Sequence, residues 1–362
     1  MLGLYLHIPF CKSKCFYCDF ASFAGQNSLQ KPYVEALLKE AARYKNLKPK
    51  TLYIGGGTPS VLEVAELKKL LNGITKIFGP ISKFKEATFE ANPESITKEK
   101  LNILKDFGLN RLSLGMQTTQ NKHLKLIGRA HNRKQFFKAY TLAEKYFNNI
   151  NVDIIAALPK QTLRDFQLVL KETVALQPKH ISVYGLQVEE GTKLYKDKFS
   201  VNDILYRKML EATSKYLGEE NYKQYEISNY AKAGHESLHN INYWENGQYL
   251  GLGVAAASYL KGKRSQNIAD IKSYISKINN NESPIVFSET LKGKAKIGEQ
   301  IILGLRKLDG INPTKTMLKF FDTDFNELKN QGLLIKTAKN LRLSDEGKYL
   351  ANAVFRYFVE PF

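Results

Sequence analysis

The sequence predicts an α/β protein: a partial parallel (β/α)6 barrel with a C-terminal, mainly helical, winged-helix-like domain. Two observations carry this. Six short β-like runs alternate with amphipathic helical patterns over the first 217 residues, the order that builds a parallel sheet with crossover helices. Near the end, residues 333–336 and 340–344 form a hairpin pattern after three helical stretches and before a helix starting at Asp345.

The strand-like runs are 4–8, 51–54, 87–91, 111–115, 151–156 and 180–186. Between them lie apolar residues at helical spacing over 32–44, 62–78, 98–107, 133–146 and 163–176, and a sixth such stretch covers 202–217. Residues 1–221 therefore read as the barrel. Residues 222–287 are rich in Tyr, Asn, Gly and His and read as an irregular connecting region ending in a small-residue strand. Residues 288–362 form the C-terminal unit. Winged units often bind DNA but also serve as structural covers; nothing here marks a recognition helix, so the cover is expected.

Composition places the chain of 362 residues among ordinary globular proteins, with 43% hydrophobic and 25% charged residues. The formal net charge is +19. Lysine outnumbers arginine and is scattered, which describes a solvated surface with some attraction to anionic membranes, and no nucleic-acid partner is expected. The start of the chain shows no basic segment followed by a cleavable apolar stretch, and the longest apolar run, 251–260, is too short to span a bilayer. A cytoplasmic protein is expected, with peripheral contact at the inner face of the membrane as the variant that the charge allows.

Cys11, Cys15 and Cys18 are the whole cysteine inventory. A disulfide would strand one of them, and a zinc site wants four ligands in two pairs. Three thiolates in a C-x3-C-x2-C array after a strand suit three irons of a [4Fe-4S] cluster. The fourth iron, left open, can chelate S-adenosylmethionine and deliver an electron to its sulfonium. That spacing resembles the radical S-adenosylmethionine superfamily.

Further candidates follow the other strands. Gly55-Gly56-Gly57-Thr58 lets backbone approach a ligand closely, or simply makes a sharp bend. Glu90 closes the third strand and can accept from an amino or hydroxyl group, or act as a surface charge. Gln117 follows the fourth strand, and Arg129 offers a guanidinium that can fork a carboxylate. Asp153 lies inside an apolar strand, where an ionised carboxylate needs a partner: a ligand, or Arg129. His239-Asn240-Ile241-Asn242-Tyr243-Trp244 holds the only tryptophan, and His is a common axial ligand to heme iron.

Together, residues 5–20, 55–60, 90–93, 114–131, 225–230 and 239–244 resemble the coproporphyrinogen III oxidase-like branch of that superfamily over nearly the full length. The branch holds a heme chaperone family and an oxygen-independent coproporphyrinogen III dehydrogenase. The dehydrogenase carries a further cysteine where this chain has Phe20, and a substantial segment before its cluster motif, whereas ten residues precede Cys11 here. The His-Asn-x-x-Tyr-Trp motif also points to the chaperones. The resemblance implies that Cys11, Cys15 and Cys18 hold the cluster. Tyr5, Tyr17, Gly57 and Glu90 would contact S-adenosylmethionine. Thr58, Gln117, Arg129 and Asp153 would serve the same cofactor, in the manner of a second molecule in the dehydrogenase. It implies heme as cargo, with His239 as its ligand and His235 as the fallback, and recipient hemoproteins as partners; a self-associating chain is compatible with it. Two alternatives stay open at this level: the dehydrogenase, making vinyl groups by radical decarboxylation, and a radical enzyme modifying RNA or protein.

Overall fold

The computed structural model describes residues 1–359. Six parallel strands, β1 (Leu2–Ile8), β2 (Thr51–Gly56), β3 (Glu86–Ala91), β4 (Arg111–Gln117), β5 (Ile150–Ala156) and β6 (His180–Gly185), pair in chain order. The helices after them are α1 (Gln30–Ala42), α2 (Val64–Phe78), α3 (Lys98–Asp106), α4 (Arg133–Ala143), α5 (Leu163–Val174) and α6 (Asp203–Glu219). Every expected strand and helix is present, displaced by a few residues at its ends. Helix starts are fixed by side-chain caps: Asn132 with Gln135 at α4 and Thr162 with Asp165 at α5 close reciprocal capping boxes. In α2, Leu67, Leu70, Leu71, Ile74 and Phe78 form the buried stripe.

Alternation along the strands separates two environments, because successive side chains leave opposite faces of a sheet. Leu4, Leu6, Ile8, Leu52, Ile54, Phe89, Leu112, Leu114, Val152, Ile154, Ile181 and Val183 face the helices and form the main core. Apart from Ile155, the intervening residues face inward and are polar, ionisable or glycine. They are Gly3, Tyr5 and His7 on β1; Thr51, Tyr53 and Gly55 on β2; Glu86, Thr88 and Glu90 on β3; Arg111, Ser113 and Gly115 on β4; Asn151 and Asp153 on β5; and His180, Ser182 and Tyr184 on β6. Parallel sheets ordinarily read as apolar on both faces. Here the inner face is a polar lumen, held by side-chain bonds such as Asn151 Nδ2 to Ser113 Oγ (2.7 Å) and to Asp153 Oδ1 (2.8 Å).

The irregular region expected over 222–287 is corrected by the structure. Strand Gln248–Leu252 pairs parallel to β1, and strands Ala257–Leu260, Lys263–Asn267 and Ile285–Glu289 extend the sheet antiparallel from it. With Lys223–Gln224 and Asn229–Ala231 at the far edge, the sheet reaches twelve strands. The tie is Glu40 of α1, which is buried. Its carboxylate accepts from Tyr274 Oη (2.6 Å), Asn267 Nδ2 (2.7 Å) and Gly253 N (2.8 Å). The last strand also crosses the 287/288 boundary expected for the C-terminal unit. That unit keeps the expected pattern: helices Gly293–Leu305 and Lys315–Asn330, hairpin strands Leu334–Lys336 and Leu341–Leu343, and a helix from Asp345. The third expected helix is accounted for by a break at Phe321 (φ −134°, ψ 16°) within Lys315–Asn330.

Glu40→Leu would leave three buried donors without an acceptor, so we expect a loss of roughly 3 kcal/mol or more in urea unfolding. Glu40→Gln keeps an oxygen for Gly253 and Tyr274 and should cost less. Equal stability of all three proteins would show that Glu40 does not anchor residues 248–289.

Candidate functional site at the mouth of the barrel

The thiol loop leaves β1 at Pro9. It is closed by a short parallel pairing of Phe10 with Phe23 and of Cys11 with Ala24, and by a turn in which Cys18 N donates to Cys15 O (3.2 Å). Phe16 pins the loop to the barrel: its N donates to Ile127 O and its carbonyl accepts from Leu194 N, each at 3.0 Å. Its ring lies over Gly128, where a Cβ would stand 2.7 Å from the ring and where φ is +70°, so both space and backbone call for glycine.

All three cysteines are free and partly exposed. Two of them are joined through a polar bridge built on two strand ends and the connection after β4. Cys11 Sγ lies 3.5 Å from Thr58 Oγ1, which accepts from Asn92 Nδ2 (2.9 Å). Asn92 Oδ1 accepts from Arg129 Nη2 (2.6 Å), and Arg129 Nη1 points to Cys15 Sγ at 3.7 Å. Arg129 Nη2 also donates to Gly115 O (2.7 Å). A side chain on Gly115 would meet Asn92 Oδ1 at 2.7 Å, so that glycine makes room for the bridge. Burial opposes the charge of Arg129, but Tyr17, Cys15 and Glu94 nearby leave its pKa raised.

The other expected contacts converge on the same mouth. Gly57 lies against the loop: a Cβ there would stand 3.0 Å from Cys11 Sγ and 2.9 Å from Phe10 O. Glu90 accepts from Tyr53 Oη (2.6 Å) and Gly56 N (3.1 Å). Burial pushes its pKa up to about 7, against those hydrogen bonds. Asp153 is likewise raised by burial, and accepts from Ser113 Oγ (3.0 Å) and Asn151. It is therefore partnered by lumen residues and not by Arg129. Gln117 sits on a register shift at the end of β4 with φ +68°, beside Gly115 and Arg129. Tyr5 Oη bonds His7 Nδ1 (3.0 Å), and Tyr17 lies against Cys15 and Arg129, its phenol pushed up by burial.

This donor set fits a cluster better than a single ion. Among the described residues no three Cys, His, Asp or Glu groups close around one ion, as zinc with ligands at about 2.3 Å would need. A cluster takes its ligands on separate irons. Gly57, with no side chain to crowd Cys11, leaves the cradle open.

His239 does not join this site. Helix Leu238–Trp244 lies across the opposite end of the barrel, against the first residues of β2 and β3. His239 is 1% exposed, with Nδ1 bonded to Thr51 Oγ1 and Nε2 to Tyr243 Oη, both at 2.8 Å. His239, the expected heme ligand, is thus a buried imidazole bonded at both nitrogens, and in this conformation neither is open to iron. Burial, aided by Arg111, lowers its pKa to about 3, so the ring is neutral. His235, on the approach to the helix, is half-buried and makes no side-chain hydrogen bond among the described residues. Glu86 anchors the helix, accepting from Leu238 N (2.9 Å), His239 N (3.0 Å) and Ser237 Oγ (3.2 Å). Asn92, Glu86, Thr88 and Arg111 were not foreseen. Period-two alternation of polar and apolar residues in β3 and β4 is the signal that marks them.

Three thiols on a loop with no fourth protein ligand among the described residues, seated on the C-terminal ends of a parallel partial barrel, define a radical S-adenosylmethionine protein. The model of the Radical SAM superfamily matches residues 5–173. The chain is 36% identical to the heme chaperone HemW of Bacillus subtilis (strain 168), with 99% of each chain covered. It is 34% identical to that of Lactococcus lactis subsp. lactis, covering 98% of this chain and 96% of the other. To HemW of Escherichia coli (strain K12) it is 36% identical over 70% and 69% of the two chains. The chain belongs to the HemW family. Its fold is similar to that of coproporphyrinogen III oxidase (HemN) from Escherichia coli, with TM-score 0.87 and 23% identity, covering 99% of this chain and 89% of that one.

Asn92→Leu should break the bridge between the two thiol neighbours and reduce the iron and acid-labile sulfide retained per chain after anaerobic reconstitution and gel filtration. Asn92→Asp, which keeps an acceptor for Arg129, should fall between. Wild-type retention in Asn92→Leu would show that the bridge does not hold the loop for the cluster.

Proposed function

We propose that the chain is a heme chaperone, binding heme and delivering it to hemoproteins, with a [4Fe-4S] cluster on Cys11, Cys15 and Cys18 and S-adenosylmethionine beside it. The observation that carries this reading is the likeness to HemW over the full length, with the His239-to-Trp244 motif present and Phe20 where the dehydrogenase has a further cysteine. The dehydrogenase reading and the reading of an RNA- or protein-modifying enzyme have no comparable support, since likeness to HemN at 23% identity speaks to fold alone.

When bound, the cluster and S-adenosylmethionine supply one-electron chemistry at the sulfonium. The chain's own part is to hold and orient. Tyr5, Tyr17, Gly57 and Glu90 would line the cofactor, and Glu90, poised near neutrality, can accept from an amino group. Thr58, Gln117 and Arg129 would hold the mouth rigid from the side of β2 and β4, and Asp153 would extend it into the lumen.

His239 ligation of heme iron requires release of Tyr243, and His235 is the imidazole that needs no release. Heme titrated into anaerobically reconstituted protein, followed by its Soret band, separates these. If His239 is the ligand, Tyr243→Phe should tighten binding several-fold and His239→Ala should abolish the ligated spectrum. If His235 is, His235→Ala should do so while Tyr243→Phe changes nothing. Absence of saturable binding to the wild-type chain would sink the chaperone reading and bring coproporphyrinogen turnover forward.

Delivery at a membrane suits the charge of +19. Among the described residues no helix is long and apolar enough to cross a bilayer, so contact would be peripheral. Sedimentation with anionic liposomes should then fall steeply between low and physiological salt, the behaviour of lysines at an anionic surface. Failure to sediment at low salt would remove the membrane from the proposal.

A further inference from the structure

Arg111 is 2% exposed and faces the lumen from β4. Its charge is felt by Glu90 and Asp153 towards the mouth and by His180 and His239 towards the floor, which puts the guanidinium at mid-depth. Three carboxylates surround it, yet each is held by other donors. Glu86 accepts from the start of helix Leu238–Trp244, Glu90 from Tyr53 and Gly56, and Asp153 from Ser113 and Asn151. Among the described residues no carboxylate comes within 4.0 Å of Arg111, its side chain makes no hydrogen bond, and Nε is buried without an acceptor. Arg129, in the connection after that strand, shows the contrast, with partners at 2.6, 2.7 and 3.7 Å.

Directly across the register from Arg111 stands Thr88, wholly buried, whose Oγ1 also lacks a partner. Native chains rarely leave buried donors empty, and each such group calls for an explanation. A guanidinium presents a planar fork of donors that matches a carboxylate, and a hydroxyl beside it adds a third bond. Long-range balance by the three acids satisfies the charge but not the fork.

We infer that Arg111 and Thr88 form a carboxylate-receiving site within the lumen, and that the carboxylate it takes is a propionate of the tetrapyrrole cargo. This rests on the chaperone reading above. It gives the lumen a role in cargo selection that is separate from iron ligation at the His235–His239 end and from the thiol loop.

The test compares heme with heme dimethyl ester, in which both propionates are masked, on the full-length, cluster-reconstituted chain. A charge-assisted, hydrogen-bonded carboxylate should favour heme over the diester by roughly 10- to 100-fold in Kd. In Arg111→Met that preference should collapse to about one, through weaker binding of heme with the diester unchanged. Thr88→Val, nearly the same shape, should lose a smaller part of it. Thermal unfolding reports the structural cost separately: Arg111→Met takes the balancing charge away from buried Glu86, Glu90 and Asp153, so its midpoint should fall, and the acid-to-ester preference is read on folded protein well below that midpoint. Saturable binding without an acid-to-ester preference in the wild type overturns the inference and leaves the chaperone reading standing. So does a preference that Arg111→Met retains, which would leave ordered water as the occupant of the fork. Should Arg111→Met fail to fold, a Thr88→Val preference equal to wild type overturns it. If neither compound saturates the wild type, the chaperone reading falls and this inference with it.

Discussion

Six strands that turn a polar face inward cannot close on one another as an apolar barrel does. Every group on that face must find a partner or remain wet, because a buried polar atom without one costs free energy comparable to a lost hydrogen bond. Most of the architecture answers this constraint. Apolar burial is moved wholly to the outer face, where the alternate residues meet the helices. Inside, Asn151 accepts from Ser182 and donates to Ser113 and Asp153, and His180 bonds Asn151 (2.6 Å) and Tyr225 (2.8 Å). The floor is covered by helix Leu238–Trp244, whose exposed N–H groups are taken by Glu86 from within the barrel. The mouth is left open, and there the remaining polar groups face the thiol loop.

The same constraint explains how a loop with almost no secondary structure can hold three thiols. Thr58 and Asn92 stand just past the ends of β2 and β3, whose spacing the parallel register fixes, and Arg129, from the connection after β4, is tied back to that strand through Gly115 O. Strand ends are rigid where the loop is not, so the bridge from Cys11 to Cys15 transfers the stiffness of the sheet to the sulfurs. Positioning of this kind, by a supporting shell on regular elements, is what a reactive site requires. The glycines at 115 and 128 are part of it: one makes room for Asn92, the other for the Phe16 anchor.

Local pattern carried the reading of the barrel and long-range pairing defeated the reading of the rest. The six strands and six helices were legible because each has its own period and its own boundary signals, as at Asn132 and Thr162. The thiol motif was legible because three cysteines in eight residues admit few chemistries. Strands such as Lys263–Asn267 have no apolar pattern of their own; they are strands because Gln248–Leu252 lies on β1 and offers an edge, and because Glu40, more than two hundred residues away, ties Gly253 and Asn267 to α1. The burial of His239 was hidden for a similar reason. Its motif shows only a histidine beside aromatics, and it is Thr51 and Glu86, distant in sequence, that draw the helix onto the barrel floor. Arg111 was passed over because a charged residue at the start of a strand reads as a surface residue unless the alternation of the whole strand is followed.

The thiol loop and the His239 helix occupy opposite ends of the same strands. With a rise of about 3.3 Å per residue, the first and last residues of β2 lie on the order of 16 Å apart, so no single small group bridges a sulfur and the His239 ring. What lies between is Tyr53. Its ring packs against His239 with centroids 5.3 Å apart, and its hydroxyl donates to Glu90 at 2.6 Å. Glu90 stands near its own midpoint at neutral pH. Charge at the mouth, whether from a ligand or a proton, alters how strongly Glu90 accepts from Tyr53. The other side of that tyrosine is the imidazole whose two nitrogens close the floor. The lumen is therefore one connected polar system: the mouth that faces the thiol loop and the floor that His239 closes are separated in space, and they share groups that both must leave satisfied.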